Sequence, residues 1–291
     1  METAELLKKV RKIEIKSKGL SSQIFSGQYH SAFKGKGMAF SEVREYQFGD
    51  DIRSIDWNVT ARFNHPYVKI FEEERELTVM LLIDVSGSNT FGTKKQLKQD
   101  LITELSAVLA FSAIQNNDKV GIIFFSNKIE KFIPPKKGTS HILRIIRELI
   151  NFKPDNNETN ISEALKYLTN VIKKRCTAFL ITDFIDASFE NAIKIAAKKH
   201  DLVGIRIHDA RECLIPNVGL MKVRDAETGN LQWIDTSSKD IRELYQYNCR
   251  KKDNYLKDFF KKNGLDVVDI RTSEDYIKPL INLFKKRESR K

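Results

Sequence analysis

The chain has 291 residues, 41% of them hydrophobic and 31% charged, and a formal charge of +11. That composition is ordinary for a soluble globular protein with room for one large domain or two smaller ones. It excludes a membrane-spanning protein, since no apolar run approaches the roughly 18–20 residues that a span needs.

The first residues alternate charge and Leu with no continuous apolar core, so no secretory signal is expected. Cys176, Cys213 and Cys249 are odd in number and widely spaced. They read as reduced thiols of a cytoplasmic protein and not as a disulfide framework. His30, His65, His141, His200 and His208 show no paired zinc spacing. The positive charge leans toward the C-terminal end, where residues 239–291 hold 15 Lys and Arg against 9 Asp and Glu. An acidic partner, a nucleic acid or an anionic membrane surface would suit such an excess. Solvated helix faces account for it equally simply, and no recognised nucleic-acid motif accompanies it.

In chain order, residues 4–13 carry Leu6, Leu7, Val10 and Ile13 on one side of an amphipathic helix. That helix can pack on the body of the protein or lie peripherally on a membrane. Residues 19–41 form a Gly-rich loop. Arg44, Asp50, Asp51, Arg53, Asp56, Trp57 and Arg62 then crowd into one stretch around the turn Gly49-Asp50-Asp51. They read either as a partner-docking surface or as an ion-pair layer in which Trp57 is a buried anchor. Tyr67–Phe71 is extended and runs into the acidic Glu72-Glu73-Glu74.

From Leu77 the pattern alternates strand and helix. Buried strands are expected at 77–84, 120–126 and 176–182, further strands at 201–207 and 265–270, and a short strand at 129–133 ended by Pro134-Pro135. Helices are expected at 94–115, 140–151, 160–174, 188–199, 238–263 and 273–286, with Leu97, Leu101, Leu105, Val108 and Leu109 on the core face of the first. A hairpin is expected at about 219–235. Such alternation predicts a doubly wound α/β fold, its sheet mostly parallel with helices on both faces. Residues 1–76 form an N-terminal extension, and 77–291 the main domain.

The strand 77–84 runs into Asp84-Val85-Ser86-Gly87-Ser88. The carboxyl end of a parallel strand is where open α/β sheets bind ligands. One carboxylate and two hydroxyls there are hard oxygen donors suited to Mg²⁺. Thr159, just before a helix, and Asp183, just after the strand 176–182, sit on loops that can converge on the same place.

Asp-x-Ser-x-Ser, a Thr opening a helix and an Asp after a strand resemble the metal-ion-dependent adhesion site of von Willebrand factor A domains. Asp84, Ser86, Ser88, Thr159 and Asp183 match all five positions. The upstream stretch with Arg44, Gly49-Asp50-Asp51, Arg53 and Asp56-Trp57 resembles the signature of the bacterial domain-of-unknown-function family numbered 58. Together the two cover about residues 25–235. The resemblance implies a von Willebrand A-like domain that holds Mg²⁺, Mn²⁺ or Ca²⁺ at an open site and takes a Glu or Asp of a protein partner. It also implies association with MoxR-type AAA+ ATPases in protein assembly or activation.

Enzymatic readings fit less well. Gly87–Lys94 nearly spells a P-loop, but Thr93 and Lys94 are in the wrong order. An aspartyl phosphotransferase or phosphatase using Asp84 remains an alternative, weakened because Ser86 stands where a further carboxylate is wanted. A hydrolase built on Ser86 or Ser88 lacks G-x-S-x-G, and His208 is a base only by position. An RNA-associated role rests on the basic C-terminal end alone. The sequence therefore predicts a non-enzymatic, metal-assisted protein-interaction module.

Overall fold

The computed structural model describes residues 11, 38–73, 77–90, 97–152, 154–186, 188–224 and 230–290. The expected helix at 4–13 (Arg11 apart), most of the Gly-rich loop, Glu74, the Lys94 end of the near P-loop and the hairpin tip at 225–229 lie outside these residues. The chain divides into two compact units, residues 33–77 and a larger one that includes residues 78–291.

In the smaller unit, β1 (Met38–Glu45) and β2 (Tyr67–Glu73) pair antiparallel, with a register shift between Phe40 and Glu42. Between them lie a 3-10 turn (Ile52–Ser54) and the short helix α1 (Trp57–Phe63). An aspartate opens each. Asp51 accepts the Arg53 N–H at 2.9 Å, and Asp56 accepts those of Asn58 and Val59 at 3.0 and 3.3 Å. These bonds satisfy donors that a helix start leaves without partners. Arg44 donates two bonds of 2.8 and 2.7 Å to the two oxygens of Asp50, the fork geometry that makes Arg–carboxylate pairs directional. The expected ion pairs are therefore present, but the buried Trp anchor is not: Trp57 is 68% exposed. It is the first residue of a helix with no buried position, so α1 offers no apolar face to cover it.

In the larger unit the order is β3 (Thr78–Asp84), α2 (Lys98–Gln115), β4 (Lys119–Phe125), β5 (Ile129–Lys136), α3 (Thr139–Asn151), α4 (Ile161–Val171), β6 (Thr177–Thr182), α5 (Glu190–Lys199) and β7 (Asp201–His208). The hairpin β8 (Leu220–Arg224) and β9 (Leu231–Asp235), then α6 (Lys239–Lys262), β10 (Asp266–Arg271) and α7 (Ile277–Glu288), follow. One six-stranded sheet runs β10–β7–β6–β3–β4–β5, parallel throughout except for the antiparallel edge strand β5.

Side chains alternate across a strand, and the packing follows. Met80 and Leu82 of β3, Ile123 and Phe125 of β4, and Ala178 and Leu180 of β6 pack with Ile161, Leu165 and Leu168 of α4, Ile193 of α5 and Phe260 of α6. Val79, Leu81 and Ile83 point to the opposite face and are equally buried. There α2 crosses β3 and β4, and every residue from Leu101 to Ala113 is buried. A helix buried on all sides belongs to the interior, and its few polar members, Thr103, Glu104, Ser106 and Ser112, are buried with the rest. No helix among the described residues is long and apolar enough to cross a membrane.

Two further expectations change. Strand β5 does not stop at Ile133 but continues through Pro134 and Pro135 to Lys136. An edge strand tolerates Pro because its outer side has no ladder bond to lose, and a register shift between Val120 and Ile122 accommodates the pair. The cysteines are not all free thiols either. Cys213 and Cys249 form a disulfide between the segment after β7 and α6, their Cα atoms 5.5 Å apart, and only Cys176 is free. Spacing along the sequence carried no information about that proximity.

At Gly121, in the β4 register shift, a Cβ would meet Met80 Sδ at 2.7 Å, the Pro135 nitrogen at 2.9 Å and the Ile133 carbonyl at 3.1 Å. Two of these are backbone atoms that cannot swing aside. Gly121→Ala is expected to destabilise the protein by about 1–3 kcal/mol, the range for overpacking, measured by urea denaturation.

Candidate metal centre

Strand β3 feeds outward through β4 to β5. The chain then returns to β6 on the other side of β3 and proceeds outward to β7 and β10. Strand order reverses between β3 and β6, and the crevice beyond their carboxyl ends is the ligand position of such sheets. Asp84 is the last residue of β3, and Asp183 is the first residue after β6.

Both side chains are buried, Asp84 1% and Asp183 4% exposed. Asp84 Oδ1 accepts the Ser86 N–H at 2.9 Å, and its Oδ2 accepts the Thr182 hydroxyl at 2.7 Å, a bond that ties the ends of β3 and β6 together. Asp183 Oδ1 accepts the Ile185 N–H at 3.1 Å. That turn passes through Phe184, held at φ 58, a left-handed conformation uncommon for a bulky residue. The hydroxyls of Ser86 and Ser88 lie 3.2 Å apart.

Backbone bonds lace the third loop to the first. Gly87 N–H donates to the Asn157 carbonyl at 3.0 Å, and Asn160 N–H to the Ser126 carbonyl at 2.9 Å. Asn160 caps α4 by accepting the Glu163 N–H at 3.0 Å, while Asp186, beyond β6, accepts the Ile161 N–H at 2.8 Å. Thr159 lies within this laced loop. Its hydroxyl is buried and has no hydrogen-bond partner among the described residues, a state that costs free energy unless something fills it.

Burial pushes the Asp84 carboxyl up to about 7, and the neighbouring Asp183 charge adds to the rise. The donors from Thr182 and Ser86 act in the opposite direction without cancelling it. This donor set can hold a hard divalent cation. The ligand types are oxygens only, the two carboxylates repel one another in a desolvated crevice, and one buried hydroxyl is without a partner.

The structure adds a residue that the sequence reading did not name, next to one that it placed wrongly. Leu97 precedes α2 as an extended cap and is 44% exposed, whereas Lys98, the first helical residue, is fully buried. Helical spacing does not extend to a residue outside the helix. The Lys98 ammonium lies 3.3 Å from Asp183 Oδ2 and forms a second ion pair with Glu212, in the 3-10 turn after β7. Burial pulls its pKa down, but the charges of Asp183 and Glu212 outweigh that and hold it above its ordinary value. Lysine at an apolar position of α2 was the one available signal for it, and Glu212 and Thr182 gave none.

His208 lies at the end of β7, where it accepts from Arg271 Nε at 3.4 Å, and burial lowers it to about 4. Among the described residues it has no bond to Ser86 or Ser88. Of the residues read as a docking surface, Arg44, Asp50 and Asp56 are half-buried struts of the smaller unit and Asp51 is an exposed cap, while Arg53, Trp57 and Arg62 are exposed.

Known proteins agree with this architecture. An uncharacterized protein of Mycobacterium tuberculosis, Rv1480, is 24% identical over 290 residues, 99% of this chain and 91% of its own. An uncharacterized protein of Bacillus subtilis, YeaD, is 26% identical over 45% of this chain and 29% of its own. The crystal structure of an aerotolerance-related membrane protein from Bacteroides fragilis aligns with a TM-score of 0.50 and 18% identity, over 74% of this chain and all of that one. This is a likeness of fold, and the fold is the von Willebrand A-like α/β arrangement expected from the sequence. Residues 42–255 match the family described as Protein of unknown function DUF58, and the chain belongs to that family.

Proposed function

We propose that the protein is a metal-assisted protein-interaction module. Ser86, Ser88 and Thr159 present hydroxyls to a divalent cation, Mg²⁺ or in its place Mn²⁺ or Ca²⁺, with Asp84 and Asp183 behind them. The remaining position takes a Glu or Asp carboxylate of a partner protein. The observation that carries this reading is the pair of buried carboxylates at the switch point, beside a loop whose buried Thr159 hydroxyl has no partner.

The bonding within the site supports a division of labour. Each oxygen of Asp84 already accepts from a protein donor, and Asp183 is shared between the Ile185 N–H and the Lys98 ammonium. Neutral hydroxyls are then the natural direct ligands, with the carboxylates orienting them. When bound, the cation supplies an electrophilic coordination position for the partner's carboxylate. The partner proposed from the resemblance is a MoxR-type AAA+ ATPase, with this chain as its adaptor. Arg53, Trp57 and Arg62 offer it a second contact surface, since exposed Arg and Trp beside the exposed Phe48 and Ile52 are the residue types enriched in interfaces.

Titration of Mn²⁺ into metal-stripped protein is expected to show one ion per chain, with affinity reduced at least tenfold by Asp84→Ala on the usual scale of a lost charged group. Absence of binding to the wild type would overturn the reading. A cation is drawn to ionised Asp84 and not to its protonated form, so ion affinity should climb by up to about tenfold per pH unit toward pH 7 and level off above it. Asp84→Asn should abolish that slope.

The ATPase itself requires Mg²⁺, so partner binding is best compared between wild type and Asp84→Ala at one Mg²⁺ concentration. A loss of about tenfold or more is expected, with unchanged circular dichroism. Equal binding by the two proteins would show that the metal centre is not the contact.

A further inference from the structure

The buried lysine of α2 has no counterpart in the five-residue oxygen motif. Lys98 is inaccessible to solvent and lies between two carboxylates from different loops, Asp183 after β6 and Glu212 after β7. Burying an ammonium is costly unless it is paired on all sides. Its placement therefore needs a reason beyond packing, because a Leu or Met at this buried position would fill the volume without desolvating a charge.

We propose that Lys98 is a tethered internal counter-ion that limits how tightly the metal centre holds its cation. The inference rests on the metal reading above. Asp84, Asp183 and Glu212 bring three carboxylates to one end of the sheet, and Lys98 neutralises part of that charge from within. Ligand charge count is what tunes affinity at oxygen sites for hard cations. With Lys98 in place, a divalent cation meets fewer uncompensated negative charges, and it shares Asp183 with an ammonium 3.3 Å away. Three carboxylate charges then stand against three positive ones, two on the cation and one on the buried Lys98. With the site's own charge balanced, the cation keeps its attraction for an incoming carboxylate, which is what capture of an acidic partner residue requires. Lys98 is thus a positioning residue: it acts on the ion through Asp183 and touches neither the hydroxyl ligands nor the partner.

Charge makes a prediction that structural damage does not, because removing the two members of the pair should move affinity in opposite directions. Mn²⁺ is titrated into metal-stripped full-length wild type, Lys98→Met and Glu212→Gln. Lys98→Met is expected to bind about tenfold or more tightly, and Glu212→Gln about threefold or more weakly, by the Coulombic sign of the lost charge.

Lys98→Met leaves the buried Asp183 and the half-buried Glu212 without their cation, so it can fail to fold without metal. The Lys98→Met/Glu212→Gln double variant removes the charges together and should bind within about threefold of wild type. Affinities unchanged in both single variants, or weakened in both, would overturn the role of Lys98 while leaving the metal centre standing. Absence of binding to the wild type and to every variant would overturn both.

Discussion

Two carboxylates buried at the ends of adjacent strands are the constraint around which the larger unit is arranged. Asp84 and Asp183 come together because β3 and β6 are neighbours at the point where strand order reverses. Parallel strands in register bring their carboxyl ends to one edge, so whatever follows them is gathered there. Desolvation and mutual repulsion both oppose ionisation in such a place. The chain answers with donors of local origin. The Ser86 N–H and the Ile185 N–H fold back on the aspartates two residues before them, and the Thr182 hydroxyl reaches across from β6. These bonds fix where the carboxylates point without neutralising them. The Lys98 ammonium supplies positive charge to Asp183, and the cation proposed above would supply more to the pair.

Much of this was legible before any coordinates. The runs around Leu81, Ile123, Leu180 and Val203 are too uniformly apolar for strands with one wet face, so parallel strands covered on both sides were the natural reading. The oxygen motif was legible because its first three members fall within five residues and the other two sit at element boundaries marked by Asn160 and Thr182. What was not legible depended on contacts between distant segments. Lys98 sits close after Lys94 and Lys95, and such a run looks like a solvated helix start until the fold buries its last member. Glu212 is one acid among many in a stretch with no periodicity. Cys213 and Cys249 meet only because α6 packs beside the segment that leaves β7. Trp57 illustrates the reverse error. Its size argued for burial, yet a seven-residue helix without an apolar face leaves it in solvent.

The Lys98 cage depends on a segment whose geometry is unusually determined for a connection between elements. Glu212 belongs to a capping box in which the Asp209 carboxylate accepts the Arg211 N–H at 2.8 Å and the Glu212 carboxylate accepts the Asp209 N–H at 3.1 Å. Asp209 is itself held by the Thr272 hydroxyl at 2.5 Å, from the loop after β10, and the next residue, Cys213, is joined to α6. A flexible Glu side chain loses on the order of 1–2 kcal/mol of rotamer freedom when it is fixed, and a loose loop would add backbone entropy to that. Fixing the backbone beforehand removes the second cost and leaves only the first. Two further strands of the sheet, β7 and β10, thereby contribute to a centre whose proposed ligands all lie near β3, β4 and β6. On that proposal, the charge that a cation would meet between Asp84 and Asp183 is set in part by how firmly the far side of the sheet holds Glu212 against Lys98.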